Sequence, residues 1–314
     1  MPRSLRALWV LLAVSWMAVA GAAPVPGLFA VIVPDADPQR AAQLAMRVVL
    51  VRLIGARDAA DDPALAGVIG NARRYVELER NTTRGATQVV FDGPVLRAAV
   101  EAAGRAVWDP DRPLVWVLLP AQGAGATEDL RAQLNDAAQV RGLPIALVSA
   151  DSAGGAVPDA ADSAAVLAAA RRAGAGAALL GQTSAANPQV LQWTLVAPIA
   201  EGHWVGGAAA AIDGATDALV RAARQIQGEP VADVECSIAG IADLASFTAV
   251  LGAVSSAPGV SDVTVESAVA DELTLHLKVR GGAAALVHAL ASARLRAVGS
   301  SADGMQQFRY QAAP

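Results

Sequence analysis

Apolar residues fall into three successive rhythms along the chain. In the first, residues 28–33 form a short apolar run ended by Pro34, the pattern of a strand. Asp37-Pro38 then opens a helix, with aspartate as N-cap and proline at the first position, and Gly55 closes it. Its apolar stripe is Ala41, Leu44, Val48 and Val51, at helical spacing. A second short helix begins at Pro63, with Leu65, Val68 and Ile69 inward. Residues 75–80 and 87–91 alternate on either side of Asn81-Thr82-Thr83-Arg84-Gly85, which reads as a hairpin. Residues 94–103 are helical and Gly104 stops them, completing an α/β unit over 26–109.

The second rhythm starts at the turn-rich joint Asp109-Pro110-Asp111-Arg112-Pro113. Residues 114–119 (LVWVLL) are continuously apolar, as in a strand buried on both faces. A helix over 128–141, a strand over 145–149, a helix over 162–173 and a strand over 177–181 follow. That alternation predicts a layered α/β domain over 110–228 with parallel pairing. Residues 190–197 and 203–210 read as an antiparallel pair turned near Glu201-Gly202, and 216–226 as a closing helix.

The third rhythm follows the linker Gln227-Gly228-Glu229-Pro230. Strand 231–238, helix 243–254, strands 260–266 and 272–279, helix 281–293 and a final strand region at 294–298 and 305–310 give the order β-α-β-β-α-β. This is the ferredoxin-like arrangement, expected over 231–314. The overall fold class is therefore α/β and α+β, in three small units in series. Val234, Cys236, Ile238, Leu273, Leu275, Leu277 and Val279 should face the helices, meeting Leu244, Phe247, Val250 and Leu251. Glu235, Ser237, Thr274, His276 and Lys278 fall on the opposite, open face. A histidine buried there by a partner would bring its charge change into the physiological range.

Composition narrows the function. The 314 residues carry 54% hydrophobic side chains, 4% aromatic and 17% charged, which excludes a disordered chain. The net charge of −5 argues against a nucleic-acid binder. One cysteine and three histidines exclude a disulfide scaffold and a Cys/His metal cluster, and no cofactor is expected. At the amino terminus, Arg3 and Arg6 precede an apolar run over 7–19, and Ala20-Gly21-Ala22 supplies a small-residue cleavage site. These are the parts of a secretory signal peptide over 1–22, so export is expected, with no membrane span after cleavage. An uncleaved anchor is the other reading, although the apolar run is short for a span.

Several features of the first unit together resemble a known family. They are residues 31–34, 48–55 (VVLVRLIG), Tyr75-Val76, 89–92 (VVFD), Trp108, and Arg112-Pro113 entering a buried strand. In order and spacing over about 28–200 they resemble the domain of unknown function 2066 family of exported proteobacterial proteins. The resemblance implies a Gram-negative envelope protein, and implies no activity or catalytic residues. The middle unit is more loosely similar to α/β domains of periplasmic assembly accessories, a likeness of fold that does not define function.

Candidate chemistry is sparse. His203, His276 and His288 lack the surroundings of a triad base, and no G-x-S-x-G elbow occurs. The carboxylate pairs Asp35/Asp37, Asp61/Asp62, Asp109/Asp111 and Asp271/Glu272 sit where aspartate caps helices and builds turns. Gly123, Gly125 and Thr127 form a candidate anion or ligand loop between the apolar strand and the next helix. Arg52 stands among Val48, Val49, Val51 and Leu53, so its charge needs a partner or a route to water. Arg73, Arg74 and Arg112 read as ordinary element-end arginines. Arg52, His276, Lys278 and Thr274 are the candidate interaction residues.

The expectation is a non-catalytic periplasmic protein that supports envelope assembly by binding envelope protein partners, with a homo-oligomer also allowed. A small-ligand binding protein using the cleft after strand 114–119 is the alternative, and an exported hydrolase a more distant one.

Overall fold

The structure, a computed structural model, describes residues 23–25, 27–82, 85–120, 124–149, 159–183, 190–291, 294–301 and 303–311. The expected signal segment 1–22 and Gly123 of the candidate anion loop lie outside them.

The first unit runs β1 (Ala23–Pro24), β2 (Ala30–Val33), α1 (Pro38–Ile54), short 3-10 turns with α2 (Ala66–Gly70), β3 (Val76–Asn81), β4 (Thr87–Phe91) and α3 (Gly93–Ala102). Asp37 caps α1, its carboxylate accepting from the Arg40 amide at 2.8 Å. The sheet is antiparallel, in the order β2-β4-β3, and turns Val31, Val33, Val89 and Phe91 toward α1. Helix α1 is more deeply enclosed than one apolar stripe requires: Ala41, Ala42, Ala45, Met46, Val49, Leu50 and Leu53 are all buried. Leu44, expected inward, is 44% exposed instead. The small alanines let neighbours approach closely, so the contact face turns toward Ala41, Ala42 and Ala45 and leaves Leu44 outside.

The middle unit runs β5 (Asp111–Arg112), which pairs back to β1, then β6 (Val115–Leu119), α4 (Ala124–Arg141), β7 (Ile145–Ser149), α5 (Ser163–Arg172), β8 (Ala177–Thr183), β9 (Leu191–Ala197), β10 (Ala200–Val205) and α6 (Ala208–Gly228). Its five-stranded sheet has the order β10-β9-β8-β6-β7, with β6 parallel to β7 and β8. Val115, Val117 and Leu119 pack with α4 and α6, while Trp116 and Leu118 pack with α5, so β6 is buried on both faces.

Two boundaries differ from the sequence reading. Glu201 and Gly202 lie within β10, opposite Val196 and Leu195, and the turn falls at 198–199. Helix α6 starts at Ala208, at the head of a four-alanine run of high helix propensity, well before the expected residue 216.

The last unit runs β11 (Val231–Ala239), α7 (Leu244–Ser255), β12 (Val260–Val269), β13 (Glu272–Arg280), α8 (Gly282–Leu290), β14 (Leu295–Ser300) and β15 (Gln306–Tyr310). Asp243 and Ser246 form a reciprocal capping box on α7. Leu244 follows at the first position of that helix and is 78% exposed, against the inward placement expected. The predicted inward residues of β11 and β13 are buried.

The sheet order is β12-β13-β11-β15-β14. It departs from a ferredoxin-like sheet at one edge. Where a single last strand would stand beside β11, a β14–β15 hairpin inserts its second strand parallel to β11 and pushes β14 outward.

Candidate functional site

The carboxy-terminal sheet carries helices on one face and polar side chains on the other. Cross-strand register places His276 between Glu235 on β11 and Thr264 on β12, and Lys278 between Asp233 and Asp262. Thr274 stands opposite Ser237, whose hydroxyl donates to the Glu272 carboxylate. The His276 ring is flanked by two carboxylates, with Nε2 3.4 Å from Asp233 and Nδ1 3.9 Å from Glu235. These residues border a cleft of about 330 Å³ that continues past Val234 and Ala283 to Asp303 and Met305. Three carboxylates against one imidazole give the cleft acidic character, suited to a cationic group.

Cys236 lies on the helix side, fully buried, and burial pushes its thiol up to about 12, which leaves it protonated and inert. Among the described residues, no group of three or more His, Cys, Asp or Glu is placed to hold a metal ion.

A second concentration of functional groups joins the first two units. The last carbonyls of an α-helix have no partner within the helix and carry its partial negative charge. At the end of α1 each one is met. Gly55, left-handed at φ 71°, returns its amide to Val51 at 2.9 Å. The Arg52 carbonyl accepts from Arg112 at 2.7 Å, and that of Leu53 from the Trp108 amide at 2.7 Å. Those of Ile54 and Gly55 accept from Arg224 and Arg141, both at 3.0 Å.

Arg112 is fully buried, with its guanidinium 3.9 Å above the Trp108 ring and further bonds to the carbonyls of Asp109 and Gly142. Burial, with a smaller push from Arg52, lowers its pKa to about 9 despite the opposing charge of Asp109, so the group stays cationic at neutral pH. Arg141, also buried, pairs with Asp217 and lies 3.5 Å from Asp213, which Arg57 also approaches at 3.1 Å. Desolvation raises the Asp213 pKa, against the pull of both arginines. An open cleft of about 470 Å³ adjoins the joint, bordered by Gly55, Val220, Arg221 and Arg224.

Arg52 belongs to this joint. It crosses from α1 to give Nε to the Gln139 carbonyl at 2.8 Å and Nη1 to those of Gly27 and Ala30 at 3.1 and 2.9 Å. Burial lowers its pKa. Its donors thus hold three segments of the chain together. His276, Lys278 and Thr274 come together on the open sheet face. Gly125 and Thr127 fall within α4, which begins four residues ahead of its expected start, and the segments after β6, β7 and β8 (121–123, 150–158 and 184–189) lie outside the described residues.

Arg112, expected to be an ordinary element-end arginine, is instead fully buried at this joint, and the places of Arg141, Arg224 and Asp303 were not foreseen from the sequence. Asp233 was within reach, since it alternates with Glu235 on a strand whose inward phase was already assigned.

Residues 22–109 match the model of a domain of unknown function (DUF8605). The expectation of a domain of unknown function holds for this unit, but the match is to a different family from the domain of unknown function 2066 expected from the motifs. Searches of curated proteins and of solved structures return no match to the chain. Among the described residues, no helix is long and apolar enough to cross a membrane.

Proposed function

We propose that this chain is a non-catalytic, exported protein of the cell envelope, located in the periplasm, that supports envelope assembly by binding another macromolecule. The observation carrying this reading is the open face of the carboxy-terminal sheet. There His276 stands between Asp233 and Glu235, with Lys278 and Thr274 on the same face, and the inward residues of β11 and β13 hold the strands rigid from the other side. Such a face is solvated alone and offers fixed charge and hydrogen-bonding groups to a partner. Support for the setting comes from the signal-like segment 1–22. The arginine-built joint, on this reading, fastens the first two units to each other.

The test is in-cell crosslinking followed by affinity capture, comparing the natural protein with the double variant His276→Ala/Lys278→Glu. Partners recovered with the natural protein and lost with the folded variant support the reading. An unchanged partner set overturns the assignment of this face.

A further inference from the structure

Strand β11 is nine residues long and is paired with β13 along its whole length. On its other side β15 meets it at 236–239. Among the described residues, no strand pairs with that second edge over 231–235. The cause lies in the hairpin. Ser301 donates its amide to the Met305 carbonyl at 2.9 Å, its hydroxyl accepts from the Met305 amide at 3.2 Å, and Gly304 returns its amide to Ser301 at 3.0 Å. The main-chain groups that would carry β15 onward beside Glu235 and Val234 are thus committed to the turn. The acidic cleft of about 330 Å³ lies in the space this leaves, bordered by Ala232, Val234, Ala283 and Met305 together with Asp233, Glu235 and Asp303.

We infer that this half-open edge of β11 is a strand-addition site for an extended polypeptide segment that alternates basic and small apolar side chains. The inference rests on the reading of the carboxy-terminal unit as the interaction module and names the partner chemistry. An open edge of five residues is about 16 Å long, room for a segment of similar length at about 3.3 Å per residue. Main-chain hydrogen bonds supply the affinity in such complexes and alternate side chains the selectivity. Side chains directed to the helix side meet Val234, Ala283 and Met305, which favours small apolar groups. Those directed to the open side meet the carboxylates of Asp233 and Glu235, which flank His276 and, with side chains 67% and 55% exposed, stay within reach of a lysine or arginine. Charge complementarity selects the occupant, because an acidic segment would be repelled.

The experiment uses the purified protein and an acetylated, amidated peptide of alternating lysine and valine. Its controls are the same peptide N-methylated at alternate residues and a glutamate–valine analogue. Fluorescence polarisation should show binding of the lysine–valine peptide alone, and Asp233→Asn/Glu235→Gln should weaken it by about tenfold at low salt. Hydrogen exchange should slow at every second amide of 231–235, the ones that point away from β13. Equal binding of the N-methylated peptide, or no protection at 231–235, overturns the inference by reducing the contact to nonspecific charge attraction. Self-association of the neutralised variant without peptide binding also overturns it, since the acids would then serve to keep edges apart. Each of these outcomes leaves the module reading intact, because that reading is judged by partner loss in the His276/Lys278 variant.

Discussion

Arg112 donates to the main-chain oxygen of Arg52 at 2.7 Å, and Arg52 in turn donates to the carbonyl of Gln139 at 2.8 Å. Two cations sixty positions apart thus share one joint, and the acceptors they use there are backbone carbonyls.

Removing Arg112 should be costly. Arg112→Ala leaves the carbonyls of Arg52 and Gly142 without their donors in a buried site, an expected loss of about 3–5 kcal/mol. Arg112→Lys should recover little, because an ammonium cannot reproduce the planar fork or the stacking on Trp108. Urea titration followed by tryptophan emission is the measurement. Trp108, Trp116, Trp193 and Trp204 all lie at or before the middle unit and the last unit has none, so the signal follows the joint. A midpoint unchanged in Arg112→Ala would refute the energetic role.

Gly55 can be tested against a matched control. At φ 71° a Cβ there would stand 2.4 Å from Val220 and 3.1 Å from Trp108, whereas at Gly104, with φ 75°, it would meet nothing within 4 Å. Gly104→Ala pays backbone strain alone, about 1 kcal/mol. Gly55→Ala adds overpacking of about 1–3 kcal/mol. Thermal unfolding should rank them in that order, and equal losses would show that the joint yields easily.

Acid should loosen one tie of the first unit. The side-chain hydrogen bond from Arg105, then the Ala64 amide, lowers the pKa of Asp62 below 3.8. A depressed folded pKa means stability that is present above about pH 3.8 and lost as pH falls through the lowered value. The melting-temperature difference between the natural protein and Asp62→Asn should therefore shrink as pH drops from 5 toward 3. A difference constant across that range would remove Asp62 from the account.

The phase of β13 is open to a paired test. Leu275 is fully buried, so Leu275→Ala should cost about 2–5 kcal/mol. His276→Ala, one position on, should stay within about 0.5 kcal/mol with an unchanged circular-dichroism spectrum. A reversal would mean that the two faces of the sheet are exchanged.

What could be read beforehand follows from the range of the forces involved. The apolar run at 115–119 and the alternation at 234–238 and 273–279 are local patterns, and burial follows them. Asp37 and Gly55 mark the ends of α1 through contacts within one turn. Leu44 and Leu244 misled because an apolar residue on a helix does not say which neighbour will come to cover it. The buried state of Arg112 and Arg141 was illegible for a deeper reason. Their acceptors include carbonyls 60 and 86 positions away, and a charge looks the same in sequence whether solvated or enclosed. Asp303 was invisible because its place in the cleft depends on how the last hairpin inserts, which the strand count alone does not specify.

Carbonyl oxygens do not titrate, and their bonds to Arg52, Arg112 and Arg224 contain no pair of formal charges for dissolved ions to screen. Apart from the ion pairs of Arg57 and Arg141 with Asp213 and Asp217, the fastening between the first two units is therefore less open to acid and salt than ordinary surface pairs are. Changes of salt or acidity in the medium would not work this seam like a hinge.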